Sequence, residues 1–211
     1  MRTEVSTSLR GRRLLVAVSG SIAAVKTPLL VSALVKAGAE VRCLVTPSAA
    51  KMVSPLALAT LSRHRCYTED DGWDSCCSRP LHIELSEWAE LVLLAPLSAT
   101  SLSRWSQGSA DGLLASVLLA CECPVLAAIA MNTAMWSHPA VQRNWQIVQT
   151  FPGVVPLMPQ PGLLACDRLG DGRMADPMLI ELAASSLFSR GDTWPVANRD
   201  WSGLRLMVSA G

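Results

Sequence analysis

The sequence lacks any block of like charge. Its 18 lysines and arginines stand against 17 aspartates and glutamates, for a formal charge of +1. Without a basic stripe or an acidic run it offers no electrostatic footprint for nucleic acid or an anionic membrane surface. Neither a nucleic-acid partner nor a membrane is expected. The longest apolar runs, such as Leu113 to Cys121, fall far short of the roughly 20 residues needed to cross a bilayer. Histidine is scarce, at three scattered positions (His64, His82, His138), and the spacings Cys76-Cys77 and Cys121-Glu122-Cys123 do not suit zinc, so no metal is expected. The cysteines number seven, an odd count, several lie within apolar runs, and no secretory signal precedes them. That argues against a disulfide framework and for a reducing cytoplasm. The dinucleotide fingerprint G-x-G-x-x-G is also missing.

Apolar residues are plentiful, at half of 211. That is enough for one sizeable domain with a large core. A polar stretch over residues 1–11 reads as a flexible tail. Leu14 to Val18 is then a short continuous apolar run of the kind found in buried parallel strands. Ser19-Gly20-Ser21 turns the chain into a helical stretch from Ile22 to Lys36, kinked near Pro28 and stopped at Gly38.

The alternation continues with strands at Val41–Val45, Leu91–Ala95, Val125–Ile129 and Val154–Leu157. Helices are expected at Ser48–Leu61, Ser98–Cys121 (one or two), Pro139–Val148 and Pro177–Phe188. Such alternation predicts an α/β fold, a single Rossmann-like domain with a parallel sheet flanked by helices, over residues 12–190. Residues 158–175 read as a functional loop, residues 191–202 as a linker, and Gly203 to Gly211 as the first strand of a further α/β domain or else a terminal edge strand of the first.

In open α/β sheets, ligands bind beyond the carboxyl ends of the strands. The residues there are small and polar. Gly20, Ser21 and Ile22 follow the first strand, where close backbone approach and unpaired amides suit a phosphate. Thr46-Pro47-Ser48 follows the second, its hydroxyls either joining that phosphate site or capping a helix. Ser98, Ala99, Thr100 and Ser101 can take a flat ring and bond its polar edge, or can form an N-cap. Met131 and Asn132 follow Val125–Ile129, the asparagine offering either N–H donors to a carboxylate or a helix cap. His82 lies on an alternating segment before a helix. Cys166 stands in a glycine-bounded stretch between Gly162 and Met174, flanked by Arg168 and Arg173. Such electropositive, partly exposed surroundings suit a reactive thiol better than a packing role.

In this order, Gly20-Ser21-Ile22, His82-Ile83-x-Leu85, Ala95-Pro96-x-Ser98-Ala99, Ala130-Met131-Asn132-x-x-Met135-Trp136, Ala165-Cys166 and Gly172-Arg173-Met174 resemble the flavin-dependent cysteine decarboxylases, specifically their phosphopantothenoylcysteine branch. The departures are Ile129 for a usual proline, Thr100 for an asparagine, Pro47 for a frequent hydroxyl and Asp167 for a glycine. The resemblance implies an FMN-dependent carboxy-lyase acting on 4'-phosphopantothenoylcysteine to give 4'-phosphopantetheine in coenzyme A biosynthesis. It implies a homo-oligomer, a trimer or an assembly of trimers, with FMN at a contact between subunits.

By the same resemblance Gly20, Ser21, Ile22, Thr46, Ser98, Ala99, Thr100 and Ser101 hold FMN. His82, Asn132 and Cys166 are catalytic, Cys166 as proton donor, and Met131, Asn132, Ala165 and Arg173 contact substrate. Peptidyl-cysteine decarboxylases and flavin prenyltransferases lack the cysteine loop, and non-catalytic regulatory relatives often carry long acidic tails. The resemblance further makes residues 203–211 the start of a truncated ligase domain.

Overall fold

A computed structural model describes residues 7–73, 79–163 and 169–189. Its centre is a six-stranded parallel sheet made of β1 (Arg13–Val18), β2 (Glu40–Val45), β3 (Cys66–Tyr67), β4 (Leu91–Leu97), β5 (Val125–Ile129) and β6 (Val154–Leu157). The strand order is β3-β2-β1-β4-β5-β6, the doubly wound arrangement. β4 and β5 are buried at every residue, as continuous apolar strands must be when helices cover both faces.

Alternation along β1 feeds two cores. Leu14, Val16 and Val18 belong to one, with Leu30 and Leu34 of α1 (Thr27–Lys36), Leu58 of α3 (Pro55–Ser62) and Ile180 of α9 (Pro177–Ser189), numbering the helices as the chain runs. Leu15 and Ala17 belong to the other, with Leu85 of α4 (Leu81–Trp88), Leu102 and Trp105 of α5 (Ala99–Ser106), Val117 of α6 (Leu113–Ala120) and Trp145 of α8 (Pro139–Gln149). Two four-residue helices, α2 (Pro47–Ala50) and α7 (Thr133–Trp136), begin where β2 and β5 end.

Several local expectations change. Pro28 opens α1 at its first turn, and Ile22–Lys26 before it is a separate 3-10 turn, so the helix is broken rather than kinked. The stretch Ser48–Leu61 is two helices, because Ser54 restarts the chain by accepting the N–H of Ala57 ahead of Pro55. The alternating segment carrying His82 is helical: Leu81 and Leu85, four residues apart, both bury on one face of α4.

The segment expected as a loop at 158–175 contains an antiparallel hairpin, β7 (Gln160–Leu163) with β8 (Leu169–Arg173). Leu9, within the stretch expected as a tail, is fully buried in the first core. The linker at 191–202, the strand at 203–211, Ala165 and Cys166 lie outside the described residues. No helix among the described residues is long and apolar enough to cross a membrane.

Candidate active site

Chain reversal between β1 and β4 opens a crevice at the carboxyl ends of the central strands. Ser19 joins its two sides. This fully buried hydroxyl donates to the Pro96 carbonyl at 2.8 Å and accepts the N–H of Ser98 at 2.7 Å. Thr27, also fully buried, adds a bond to the Ala95 carbonyl at 3.0 Å. Stranding a buried partner of such bonds costs about 1–3 kcal/mol, so the turn after β1 and the turn after β4 are held in fixed register. Ser98 caps α5 through the N–H of Ser101. Gly20 is required by close approach: a Cβ there would meet Cβ of Ser48.

Between these turns lies a cavity of about 560 Å³, within the range of small-molecule and cofactor sites. It gathers most of the residues singled out in the sequence. Gly20, Ser21 and Ile22 line one side, Ser98, Ala99 and Thr100 another, and Met131 and Asn132 a third, with Arg173 arriving from β8.

Asn132 caps α7, its Oδ1 accepting the N–H of Ala134 at 2.8 Å. The hairpin is fastened over the same region, since Met131 N–H donates to the Gly172 carbonyl at 3.0 Å. Gly172 has φ +154°, and a Cβ on it would strike the Met131 carbonyl oxygen. Only glycine lets β8 approach so closely.

Other expected residues fall elsewhere. Thr46 caps α2 through the N–H of Ala49 at 3.2 Å and, with Ser101, lines a smaller adjoining cavity of about 180 Å³, where Arg104 and Asp111 pair at 3.1 Å. His82 is on α4, half-buried, and lines neither cavity.

Lys26 also lines the large cavity, a position that the helical pattern of Ile22–Lys36 does not single out. The 3-10 turn capped by Ser21 ends on it instead. Thr133, at the start of α7, carries a buried Oγ1 with no hydrogen-bond partner.

A doubly wound sheet with a cavity at its switch point, walled by a glycine-serine turn, a hydroxyl-rich turn and an asparagine, defines an α/β protein with a cofactor-sized site at the position where such sheets bind ligands. Comparison with known proteins narrows the class: the chain belongs to the Flavoprotein family, whose model matches residues 2–183.

It is 38% identical over 203 residues to the coenzyme A biosynthesis bifunctional protein CoaBC of Bacillus subtilis, a match covering 96% of this chain and 48% of that protein. The chain thus spans about half the length of the curated relatives it matches first. Among solved structures, it is similar to a cysteine-to-serine mutant of PPC decarboxylase complexed with pantothenoylaminoethenethiol. That match has a TM-score of 0.79 and 34% identity, covering 85% of this chain and 100% of that one. It is also similar to the FMN binding protein AtHal3, with a TM-score of 0.77 and 34% identity over 86% of this chain and 98% of that one.

Proposed function

We propose that this chain is an FMN-dependent decarboxylase that converts 4'-phosphopantothenoylcysteine to 4'-phosphopantetheine. The observation that carries the reading is the convergence of the Gly20–Ile22 turn, the Ser98–Thr100 turn and Asn132 on one cavity. This occurs in a chain that spans the whole length of a solved PPC decarboxylase.

The residues present fit FMN. Gly20 and Ser21 line one wall of the cavity, the Ser98 turn offers small side chains for a flat ring, and the cavity has cofactor size. Gly20, Ser21 and Ile22 would hold the phosphate side, with Thr46 and Ser101 reached through the adjoining cavity. Ser98, Ala99 and Thr100 would hold the ring. Bound there, FMN supplies the two-electron oxidation of the substrate's CH2–SH to a thioaldehyde and later the return of those electrons.

The protein's own groups do the rest. Asn132 donates N–H to the substrate carboxylate and orients it, Met131 packs beside it, and Arg173 stands on the hairpin as a cation for the substrate's anionic groups. The thioaldehyde lies β to the carboxylate and takes up the electrons as carbon dioxide leaves, giving an ene-thiolate. Cys166 then donates the proton that completes the product, with Ala165 beside the substrate. The solved relative, a cysteine-to-serine mutant holding an aminoethenethiol, supports a stalled species of this type.

His82 enters from a neighbouring chain in a homo-oligomer. Exposed apolar side chains at the cavity mouth, Ile22 and Val25 more than half exposed and Met52 close behind, favour an assembly that covers them.

The test is a paired assay of the flavin-loaded protein. It should decarboxylate phosphopantothenoylcysteine and leave a peptide ending in cysteine unchanged. The reverse preference would assign it to the peptidyl-cysteine decarboxylases.

A further inference from the structure

Two thiols meet at the end of the sheet opposite the cavity. Cys121 caps α6 in extended backbone, and Pro124 follows Cys123 into β5. Their Sγ atoms lie 3.1 Å apart, and Cys121 Sγ also approaches the Cys123 carbonyl at 3.5 Å. Both residues are partly exposed, unlike Cys43 and Cys66. The hydrogen bond between the thiols holds Cys121 below the ordinary thiol value and pushes Cys123 up. Either sulfur can donate in this contact, so ionisation of one thiol leaves the other to hydrogen-bond the thiolate, and the pair is placed for thiol–disulfide exchange.

Proximity alone is not the signal, because Cys43 and Cys66 also face each other across β2 and β3. Both are buried, and burial pushes both thiols up, Cys66 to about 12. They are inert packing residues by comparison.

We propose that Cys121 and Cys123 form a thiol-modification site that reacts with small-molecule disulfides and closes to an intramolecular disulfide across Glu122. The Cys121 thiolate attacks one sulfur of the small disulfide, whose S–S bond breaks and releases one thiolate with the electron pair. Cys123 then gives its proton to solvent and attacks the Cys121 sulfur of the mixed disulfide, expelling the second thiolate. The protein loses two electrons and two protons, and the small disulfide becomes two thiols. The site stands apart from the flavin cavity, since the five residues of β5, about 17 Å of strand, separate the two.

The test equilibrates the full chain with oxidised and reduced glutathione in varying ratio, alkylates it under native conditions and weighs the peptide carrying both cysteines. With oxidised glutathione in excess, that peptide should lose two hydrogens and take no alkyl label, and dithiothreitol should restore two labels. Cys43 and Cys66 should stay reduced throughout. In Cys123→Ser, reaction should stop with one glutathione on Cys121, formed at least about ten times faster than any on buried Cys43. A peptide that stays reduced and doubly labelled across the series, or one glutathione on each cysteine with no closure, overturns the proposal. The unaltered chain alone decides it if the variant fails to fold.

Discussion

Asn132 caps α7 and lines the cavity, and its chemistry lets the cap be separated from the donor role proposed for it. An aspartate at 132 keeps an acceptor for the Ala134 N–H and so keeps the cap, but it replaces the amide donors with a negative charge facing a substrate carboxylate. Asn132→Asp should therefore fold and retain FMN while losing about 100-fold or more in kcat/KM, a deficit of roughly 2.7 kcal/mol in transition-state stabilisation. Loss of flavin in that variant would show that the residue had been given the wrong role.

Cys166→Ser should oxidise and decarboxylate but fail in the last proton transfer, leaving an enethiol-type species detectable by its mass. Full turnover would remove Cys166 from the reaction. The small polar residues after β1, β4 and β5 were legible because in an open α/β sheet those positions have few structural reasons to be polar. Lys26 was not, since a lysine at the end of a helical-looking run has the same periodicity whether it faces solvent or a cavity.

The hairpin β7–β8 shows how a functional element can hide from pattern reading. Pro161, Gly162, Gly170 and Gly172 carry no strand propensity, so 158–175 reads as loop. Glycine is there because β8 runs against the backbone of Met131 and the side chain of Thr133, where any Cβ collides. Gly172→Ala should strain the hairpin by about 1–3 kcal/mol and push it off the cavity. Its effect should appear as raised KM and lowered kcat, with little change in the melting of the sheet.

α4 misled in the opposite sense. Four residues of alternation around His82 are too few to separate a strand from a helix, and only burial of Leu81 with Leu85 decides it.

At the amino end of the sheet, Glu90 joins β1 to β4 by accepting the Arg13 N–H at 2.9 Å and pairing with Arg12 at 2.9 Å. Desolvation acts to raise this carboxyl, but the Arg13 backbone bond and the Arg12 guanidinium outweigh it and hold it below the usual value. A carboxylate depressed in the folded state binds fewer protons than in the unfolded chain. Its contribution is thus complete above the unfolded value near 4.3 and is lost as pH falls through the folded value. Glu90→Gln should lower stability at neutral pH and flatten the acid limb of the melting-temperature profile. An unchanged acid limb would assign Glu90 no such part.

Across the whole molecule, the parallel α/β architecture follows from alternating apolar strands and helices and was readable over residues 12–190, whereas the strand order, the two-residue β3 and the burial of Leu9 were not. The position of His82 away from both cavities was not, because sequence order does not say which surface a helix presents. If His82 serves a neighbouring chain, two inactive variants, His82→Asn and Asn132→Asp, should regain activity when unfolded together and reassembled. Sites with both native residues should then form in about one quarter of cases in randomly mixed closed oligomers. No recovery would place His82 and Asn132 in the same chain's site or His82 outside the reaction.

The most direct measurement is mass spectrometry of the small-molecule product formed when the flavin-loaded protein is given phosphopantothenoylcysteine. Complete conversion to 4'-phosphopantetheine is expected, lighter than the substrate by one carbon dioxide and with no net change in flavin oxidation state. Unchanged substrate in the presence of bound FMN would contradict it.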